Sequence, residues 1–268
     1  MTSAPQPVSP SQSAGPAQSA GTAQPTALVT GAGRGLGLAL ARALLAGGWS
    51  VVTDARRAGH LAAALPGAVV VPGDVTDPAH RDALAAAVGG LARTGGRRLD
   101  LLVNNASDLG PSPLPRLADV PLAAARRVLE VNLLAPLALT QLFLPPLRAA
   151  RGIVMNISSD AAVEAYPGWG AYGSAKAGLD QLTAVLAAEE PDLAVYAVDP
   201  GDMRTEMHQA AFPGEDISDR PEPESVVPAL LRLIAARPPS GRVRAADVTE
   251  VPVTEVPVTG VPLTGARA

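Results

Sequence analysis

Residues 26–37 have the sequence TALVTGAGRGLG, and this stretch decides the fold. An apolar segment at 26–30 predicts a strand, and the residues after the glycines predict a helix over about 36–46. Glycine permits positive φ and lets backbone N–H groups approach a pyrophosphate, while a helix N-terminus adds partial positive charge. The spacing is TGxxxGxG, not the common GxGxxG. It predicts a phosphate-binding turn, with an ordinary glycine-rich turn as the alternative.

Strands and helices alternate along the rest of the chain. Apolar runs predict strands at 49–53, 68–72, 99–104, 152–158 and 193–198. Helices are predicted at about 58–65, 78–93, 120–134, 136–149 and 170–189. Strands this apolar are typical of a parallel sheet that is buried on both faces. The sequence therefore predicts a single α/β domain with a three-layer, doubly wound parallel sheet, the Rossmann fold.

The two ends of the chain differ in composition from the middle. Residues 1–25 are dominated by Ser, Ala, Pro, Gln and Gly, which predicts a disordered tail. Residues 248–268 contain a near-repeat of Val, Thr and Pro. Proline in each unit blocks ladder hydrogen bonds, so this segment is predicted to be flexible or extended. The folded domain is accordingly expected to span 26–247.

The composition narrows the classes of function. The chain of 268 residues has a net charge of −4 with mixed signs, which argues against a nucleic-acid footprint. It contains no cysteine, so disulfides and thiolate chemistry are excluded. His60, His80 and His208 are scattered, and they are interpreted as surface or loop residues, with no metal site. We find no secretory signal and no window approaching the ~18 apolar residues of a membrane span. A cytoplasmic protein with no membrane partner is expected.

Tyr172 and Lys176 form the first candidate for chemistry. Their four-residue spacing places both side chains on one face of the predicted helix. A phenol titrates near ~10, and a nearby ammonium is expected to lower that pKa toward working pH. Ser158 and Ser159 end the preceding strand, where a hydroxyl could hold a substrate oxygen or cap a turn. Asn132 is a polar residue in an apolar helix, and it either bends the helix, faces solvent or organises a water near Lys176.

The second strand bears on the choice of cofactor. An acidic residue at its end would bind the ribose 2′-OH of NAD, whereas an arginine would favour the 2′-phosphate of NADP. The sequence offers Asp54, Ala55 and Arg56 there, with Arg34 available in the glycine turn. Solvent-facing arginines are the alternative interpretation. These signals conflict.

These motifs together resemble the short-chain dehydrogenase/reductase family, in its short single-domain branch, over about residues 26–245. The resemblance rests on motifs in family order: Thr30-Gly31, Gly35 and Gly37, Asp74-Val75, Asn104-Asn105-Ala106, Asn132, Ser159, Tyr172, Lys176 and Pro200-Gly201. Ser159 is chosen over Ser158 because thirteen residues between the serine and Tyr172 are typical of the family.

The resemblance implies hydride transfer between a nicotinamide cofactor and a carbonyl or alcohol substrate. Its catalytic residues would be Asn132 in a proton relay, Ser159 orienting the substrate oxygen, Tyr172 as acid/base and Lys176 on the nicotinamide ribose. The implied cofactor-binding residues are Thr30, Gly31, Gly33, Arg34, Gly35, Leu36, Gly37, Asp54, Ala55, Arg56, Asp74, Val75, Asn104, Ala106, Tyr172, Lys176, Pro200, Gly201 and Thr205. The family's specificity position falls on Ala55 with Arg56 after it, which favours NADP(H) over NAD(H).

Two departures from the family pattern carry expectations. Ser107 replaces the glycine that usually follows Ala106, a change expected to narrow the cofactor groove. The family's last strand is not recognisable after 240–243, which disfavours a tetramer and leaves a homodimer as the expected assembly. The substrate site is expected between 108–117, 160–169 and 203–223. A non-catalytic NAD(P)-binding regulatory protein on the same fold is the competing function.

Overall fold

The computed structural model describes residues 24–57, 59–91 and 98–248. The strands described there are β1 Thr26–Val29, β2 Ser50–Ala55, β3 Val69–Pro72, β4 Leu101–Asn104, β5 Ile153–Ile157, β6 Ala194–Asp199 and β7 Gly241–Arg244. The helices are α1 Gly35–Ala46, α2 Leu61–Ala64, α3 Pro78–Leu91, α4 Leu122–Leu129, α5 Ala135–Ala150, α6 Gly170–Glu189, α7 Glu206–Ala211 and α8 Val227–Ala236. The predicted alternation of strand and helix is confirmed.

The seven strands form one sheet in the order β3-β2-β1-β4-β5-β6-β7. Every neighbouring pair is parallel. The chain moves outward from β1 to β3 and then returns to β4 on the other side of β1. This reversal opens a crevice at the carboxyl ends of β1 and β4, where ligands of doubly wound sheets bind.

Helices cover both faces of the sheet and complete three layers. One face packs residues such as Leu40 of α1 and Leu230 of α8 against the strands. The opposite face packs Leu84 of α3 together with Leu139 and Phe143 of α5. Because the central strands are buried on both sides, their side chains are apolar at nearly every position. This confirms the predicted fold class.

The last part of the chain departs from the sequence prediction. The strand β7 does exist, paired in parallel with β6 through Val198 and Val243. We did not recognise it because its sequence, GRVR, carries two arginines and its side chains are only alternately half-buried. Such a pattern is ordinary for an edge strand, since only one of its backbone edges is paired.

Helices α4 and α5 form one continuous helical stretch, joined by a π-helical turn at Glu130–Leu134. By length and composition alone, Leu122–Ala150 could cross a membrane, so the expectation that no window approaches such a span is wrong. In the fold, α5 lies against the sheet with Leu139, Phe143 and Leu147 in the core. Core packing accounts for its apolar character.

The predicted tails fall almost entirely outside the described residues. At the margins, the Pro25 carbonyl accepts a hydrogen bond from the Ser50 N–H at 2.9 Å. Val248 packs against the core face that contains α8. These two residues, just outside the predicted range, therefore contact the folded domain.

Candidate active site

A cleft of about 1020 Å³ runs along the carboxyl ends of the parallel strands. Most of the predicted site residues line it, from the glycine turn at one end to Ser159, Tyr172 and Lys176 at the other. Four predicted residues do not line it: Thr30, Gly37, Asn104 and Asn132. These four support the cleft walls from behind.

The glycine turn between β1 and α1 lies very close to neighbouring segments of the chain. Gly31 and Gly35 have φ values of +69° and +56°, which favour glycine. A Cβ at Gly31 would lie 2.7 Å from the Ala106 Cα, and one at Gly33 would lie 2.9 Å from the Ala55 Cβ. Arg34, at the N-cap of α1, makes no side-chain capping bond. The backbone N–H groups at this helix end therefore suit a pyrophosphate, so the residues present fit a dinucleotide.

Thr30 and Asn105 hold the glycine turn against the loop after β4. The Thr30 hydroxyl accepts the N–H groups of Asn105 at 3.0 Å and Ala106 at 3.1 Å, and it donates to the Val103 carbonyl at 3.2 Å. The Asn105 amide donates to the Thr30 carbonyl at 2.8 Å. Asn105 belongs to the family motif but was not predicted as a site residue. Its polarity directly after an apolar strand was the available signal.

Asn104 has a different place from the one expected. Its side chain is buried and donates to Asn156 of β5 at 2.8 Å, and the Asn156 amide in turn donates to Thr183 of α6 at 2.9 Å. It therefore ties β4 to β5 and does not shape the groove directly. In a parallel sheet successive side chains alternate between faces, and Asn105 is the asparagine that reaches the glycine turn.

Asp54 is turned inward, beneath the glycine turn. Its carboxylate accepts the Gly31 N–H at 2.6 Å and lies 2.9 Å from the His80 Nε2, and the residue is 1% exposed. Strand β2 also continues through Ala55, two residues past its predicted end. His80 is buried on α3 against Gly73, so its interpretation as a surface residue is wrong; a Cβ on Gly73 would clash with its ring.

Arg34 and Arg56 both line the cleft, at the end formed by the glycine turn and the end of β2. Arg56 is exposed directly after β2. Arg34 forms an ion pair with Glu206 at the start of α7. The two arginines are therefore not equivalent, since Arg34 already has a partner across the cleft.

Asp74 is fixed by neighbours on two elements. Arg127 of α4 pairs with it at 2.6 Å, and the Thr76 N–H and hydroxyl donate to it at 3.0 and 2.8 Å. Partial burial raises the pKa of Asp74, but these hydrogen bonds outweigh burial and lower it to about 2. Arg127 also lies 3.6 Å from Asp108, so one side chain links the two loops of the cleft.

Tyr172 and Lys176 lie side by side on α6, and both are buried. The Lys176 Nζ is 5.5 Å from the centre of the Tyr172 ring and donates to the Ile157 carbonyl at 2.7 Å. Burial raises the pKa of Tyr172 to about 12 and lowers the pKa of Lys176 to about 8. The expected lowering of the phenol pKa is thus reversed in this structure, because desolvation outweighs every group that favours the phenolate.

Ser158 and Ser159 point to different partners. The Ser158 hydroxyl donates to Asp180 of α6 at 2.5 Å and is buried. The Ser159 hydroxyl donates to Asp160 at 2.9 Å, and hydrogen bonding with it lowers the pKa of Tyr172. Of the two serines, Ser159 is therefore the one that influences the pKa of Tyr172.

Asn132 lies in the π-helical turn, fully buried. Its amide donates to the Asp108 carbonyl at 2.7 Å, and its oxygen accepts the Asp108 N–H at 3.1 Å and the Ser107 hydroxyl at 2.7 Å. Pro136 has no N–H for the Asn132 carbonyl four residues earlier, and its ring would clash with that carbonyl in an α-helix. The widened turn follows from this, and the Asn–Pro spacing was its signal.

Arg242 of β7 is a residue that sequence reasoning missed. Its guanidinium donates to Asp180 at 3.0 Å, to the Ser159 carbonyl at 3.0 Å and to Asp199 at 3.2 Å. Asp199 in turn accepts the Gly201 N–H at 3.0 Å. One arginine thus ties together the ends of β5 and β6, and no signal identified it because its strand was not recognised.

An apolar wall lies beside the Tyr172 ring. Trp169 packs edge-on against Tyr172 with ring centres 5.6 Å apart, and Phe212 lies 6.2 Å from Trp169. Five residues from two of the segments expected to form the substrate site line the cleft there: Tyr166, Trp169, Met203, Met207 and Phe212. His208, interpreted as a surface or loop residue, is largely buried beside Phe212.

A glycine turn suited to a phosphate and the group of Ser159 with the buried Tyr172 and Lys176, at opposite ends of one cleft, define a dinucleotide-dependent oxidoreductase. A profile of the short chain dehydrogenase family matches residues 25–216. The chain therefore belongs to the short-chain dehydrogenase family and is a nicotinamide-dependent oxidoreductase. The competing interpretation as a non-catalytic regulatory protein is not favoured.

Individual relatives agree with this assignment. Serine 3-dehydrogenase of Rhizobium radiobacter is 37% identical over 189 residues, which cover 68% of this chain and 73% of that protein. L-Xylulose reductase of Bos taurus is 34% identical over 228 residues, or 79% and 89% of the two chains. A short-chain dehydrogenase from Shigella flexneri, solved in complex with NADP, has a TM-score of 0.73 at 26% identity and covers 84% of this chain and 99% of its own.

Proposed function

We propose that the protein interconverts a small-molecule carbonyl and its alcohol, with Tyr172 as the acid/base and NADP(H) preferred over NAD(H). The observation that supports the reaction is the buried pair of Tyr172 and Lys176, which lines the cleft together with Ser159 and an apolar wall. The nicotinamide ring, when bound, supplies or accepts the hydride.

The chain's own residues have separate tasks in this proposal. Tyr172 gives its phenolic proton to the substrate oxygen during reduction and takes it back during oxidation. Ser159 holds the substrate oxygen beside that phenol. Lys176 binds the nicotinamide ribose. Its ammonium is fixed in position by a hydrogen bond to the Ile157 carbonyl at 2.7 Å. Trp169 and Phe212 exclude water and favour a substrate with an apolar group next to its carbonyl.

Changing Tyr172 to Phe tests the reaction. Only the hydroxyl is removed, so the ring still packs against Trp169. We expect turnover to fall by about 10²–10⁴-fold, the usual contribution of a general acid–base group. Cofactor affinity, followed by fluorescence titration, should stay close to that of the wild type. Near-normal turnover in this variant would contradict the proposed role of Tyr172.

The preference for NADP(H) is supported by the placement of two side chains. Asp54, the residue that would bind the ribose of NAD and repel a 2′-phosphate, has both carboxylate oxygens engaged with Gly31 and His80. Arg56 is exposed at the rim of the cleft. The NADP complex of the Shigella flexneri relative is consistent with this.

The proposal extends to location and assembly. A chain without cysteine suits a reducing cytoplasm. The partners expected are a small-molecule substrate and a second copy of the chain in a homodimer, with no nucleic acid and no membrane. Large apolar side chains exposed on α5 and α6 support the dimer.

A further inference from the structure

His80 and Asp54 form a buried pair beneath the glycine turn. The His80 Nε2 lies 2.9 Å from one carboxylate oxygen of Asp54, and the Gly31 N–H donates to the other oxygen at 2.6 Å. The side chains of His80 and Asp54 are 4% and 1% exposed. Because a carboxylate only accepts hydrogen bonds, the His80 Nε2 is the donor of this pair. The contacts therefore run from α3 through β2 to the turn that follows β1.

Gly73, directly after β3, leaves the space that the His80 ring occupies. A Cβ at Gly73 would lie 2.1 Å from the His80 Nδ1, so any other residue there would displace the ring. The Gly73 N–H donates to the Ala55 carbonyl at 3.2 Å, which fixes this backbone to the end of β2. The imidazole is therefore confined between the Gly73 backbone and the Asp54 carboxylate.

Asp54 holds two successive N–H groups of the glycine turn. Its carboxylate accepts the Gly31 N–H, and its backbone carbonyl accepts the Ala32 N–H at 3.0 Å. Gly31 has a φ of +69°, in a region that only glycine enters freely, and glycine also has the most conformations to lose on ordering. A turn that is ordered in advance binds its ligand more tightly, because its ordering does not oppose binding.

The Asp54 carboxylate in turn depends on His80. A buried carboxylate oxygen without a donor is costly, and His80 donates to the oxygen that Gly31 does not use. Without this donor the carboxylate loses its fixed orientation. The Gly31 N–H then loses its fixed acceptor, although neither His80 nor α3 touches the turn directly through this pair.

We propose that His80 is a positioning residue for the nicotinamide cofactor: through Asp54 it fixes the Gly31 backbone and keeps the glycine turn preformed for a pyrophosphate. The inference rests on the proposed function only in requiring that a nicotinamide dinucleotide binds at this turn. It does not depend on the preference for NADP(H) or on the role of Tyr172. A purely structural role, in which His80 only packs against Gly73, makes a different prediction.

The experiment measures the dissociation constants of NADPH and NADH by fluorescence titration in a double-mutant cycle of His80→Leu and Asp54→Leu. We expect His80→Leu to weaken the binding of both nucleotides by the same factor of about 10, the worth of one hydrogen bond to a charged group. Asp54→Leu should weaken both at least as much, and adding His80→Leu to it should cause no further loss. His80→Gln, whose amide can donate to Asp54, should bind both nucleotides as the wild type does.

Leu84→Ala is the matched control, because it removes a buried apolar side chain from the same helix. It should lower the stability and leave both dissociation constants unchanged. Unchanged binding in His80→Leu, or the same loss in the presence and absence of the Asp54 side chain, would overturn the inference and leave His80 as a packing residue. A loss for NADPH alone would also overturn it, since the effect would then lie at the 2′-phosphate.

Two further outcomes are separated by the same set of proteins. If His80→Leu alone does not fold, the double variant replaces both members of the buried pair by apolar side chains, a change that folded proteins tolerate. The inference then requires the double variant to bind as Asp54→Leu does, and both to bind more weakly than the wild type; a difference between them would overturn it. A wild type that binds neither nucleotide would contradict the proposed function itself.

Discussion

Arg56 is the residue on which the cofactor preference depends. Because Asp54 is turned inward, no carboxylate described at the rim of β2 competes with a 2′-phosphate. We expect Arg56→Ala to weaken NADPH binding by about 10- to 150-fold, the worth of a charge-assisted hydrogen bond of about 1.5–3 kcal/mol. NADH binding should be nearly unchanged. Arg57→Ala is the matched control, and dissociation constants for both cofactors provide the measurement. A wild type that prefers NADH, with no effect of Arg56→Ala, would reassign the specificity to NAD.

Lys176 makes stability depend on pH through its burial. Burial lowers its pKa from 10.5 to about 8 in the folded protein. Between these values the unfolded chain binds more protons than the folded one, so the free energy of unfolding contributed by this group rises with pH. Relative to Lys176→Met, the wild type should gain up to about 1.4 kcal/mol per pH unit between pH 8 and 10. Urea unfolding of both proteins at several pH values measures this difference; a constant difference would show that Lys176 is not desolvated.

The site residues were predicted best where reactive residue types recur at a spacing that places them on one face of an element. Tyr172 and Lys176 share a helix face, and that geometry follows from four residues of separation. The direction in which Asp54 points could not be predicted, because it depends on His80, a residue far along the chain on α3. The sign of the Tyr172 pKa shift was wrong for a similar reason. Burial comes from residues distant in the sequence, such as Val128 of α4, which the local sequence does not reveal.

At the scale of elements, most predicted strands and helices agree with the structure. Helix α8 was not predicted, although its buried apolar positions repeat with helical spacing. Helix α6 was predicted at 170–189 and is observed over those residues, since its apolar positions repeat with helical spacing. Strand β7 was missed because edge strands need not be apolar. The π-helical turn was missed although the local sequence carries its signal, a proline four residues after Asn132 that has no N–H for the Asn132 carbonyl.

Arg242 of strand β7 leads to a testable prediction about how the elements are held together. Its guanidinium joins α6, the end of β5 and the end of β6 through Asp180, the Ser159 carbonyl and Asp199. We expect Arg242→Met to keep the fold but to lower kcat/KM by about 10-fold, because Ser159 loses a fixed backbone position. Arg244→Met, on the same strand, is the matched control. Equal effects of the two substitutions on kcat/KM would show that Arg242 only stabilises the sheet edge.

At the scale of the whole molecule, three apolar side chains indicate where a second copy would bind. Leu134 before α5, Leu142 on α5 and Val185 on α6 are 46%, 37% and 42% exposed. The π-helical turn and α6 lie in contact, since Leu133 is within reach of Gly178. A pair of helices presenting its apolar side chains to solvent is typical of an interface that a symmetric partner covers.

The homodimer is tested by placing a charge on that surface. We expect Leu142→Glu and Val185→Glu to shift the protein from dimer to monomer in sedimentation velocity at micromolar concentration, because in a two-fold interface each substitution buries two unpaired carboxylates. Ala63→Glu on α2 adds the same charge at an exposed position outside this surface, and it should leave the dimer intact. Tyr172 also lies on α6. The loss of the partner should therefore lower the melting temperature of the protein as well. Dimers that persist in both Glu variants would place the interface elsewhere, and a monomeric wild type would contradict the homodimer itself.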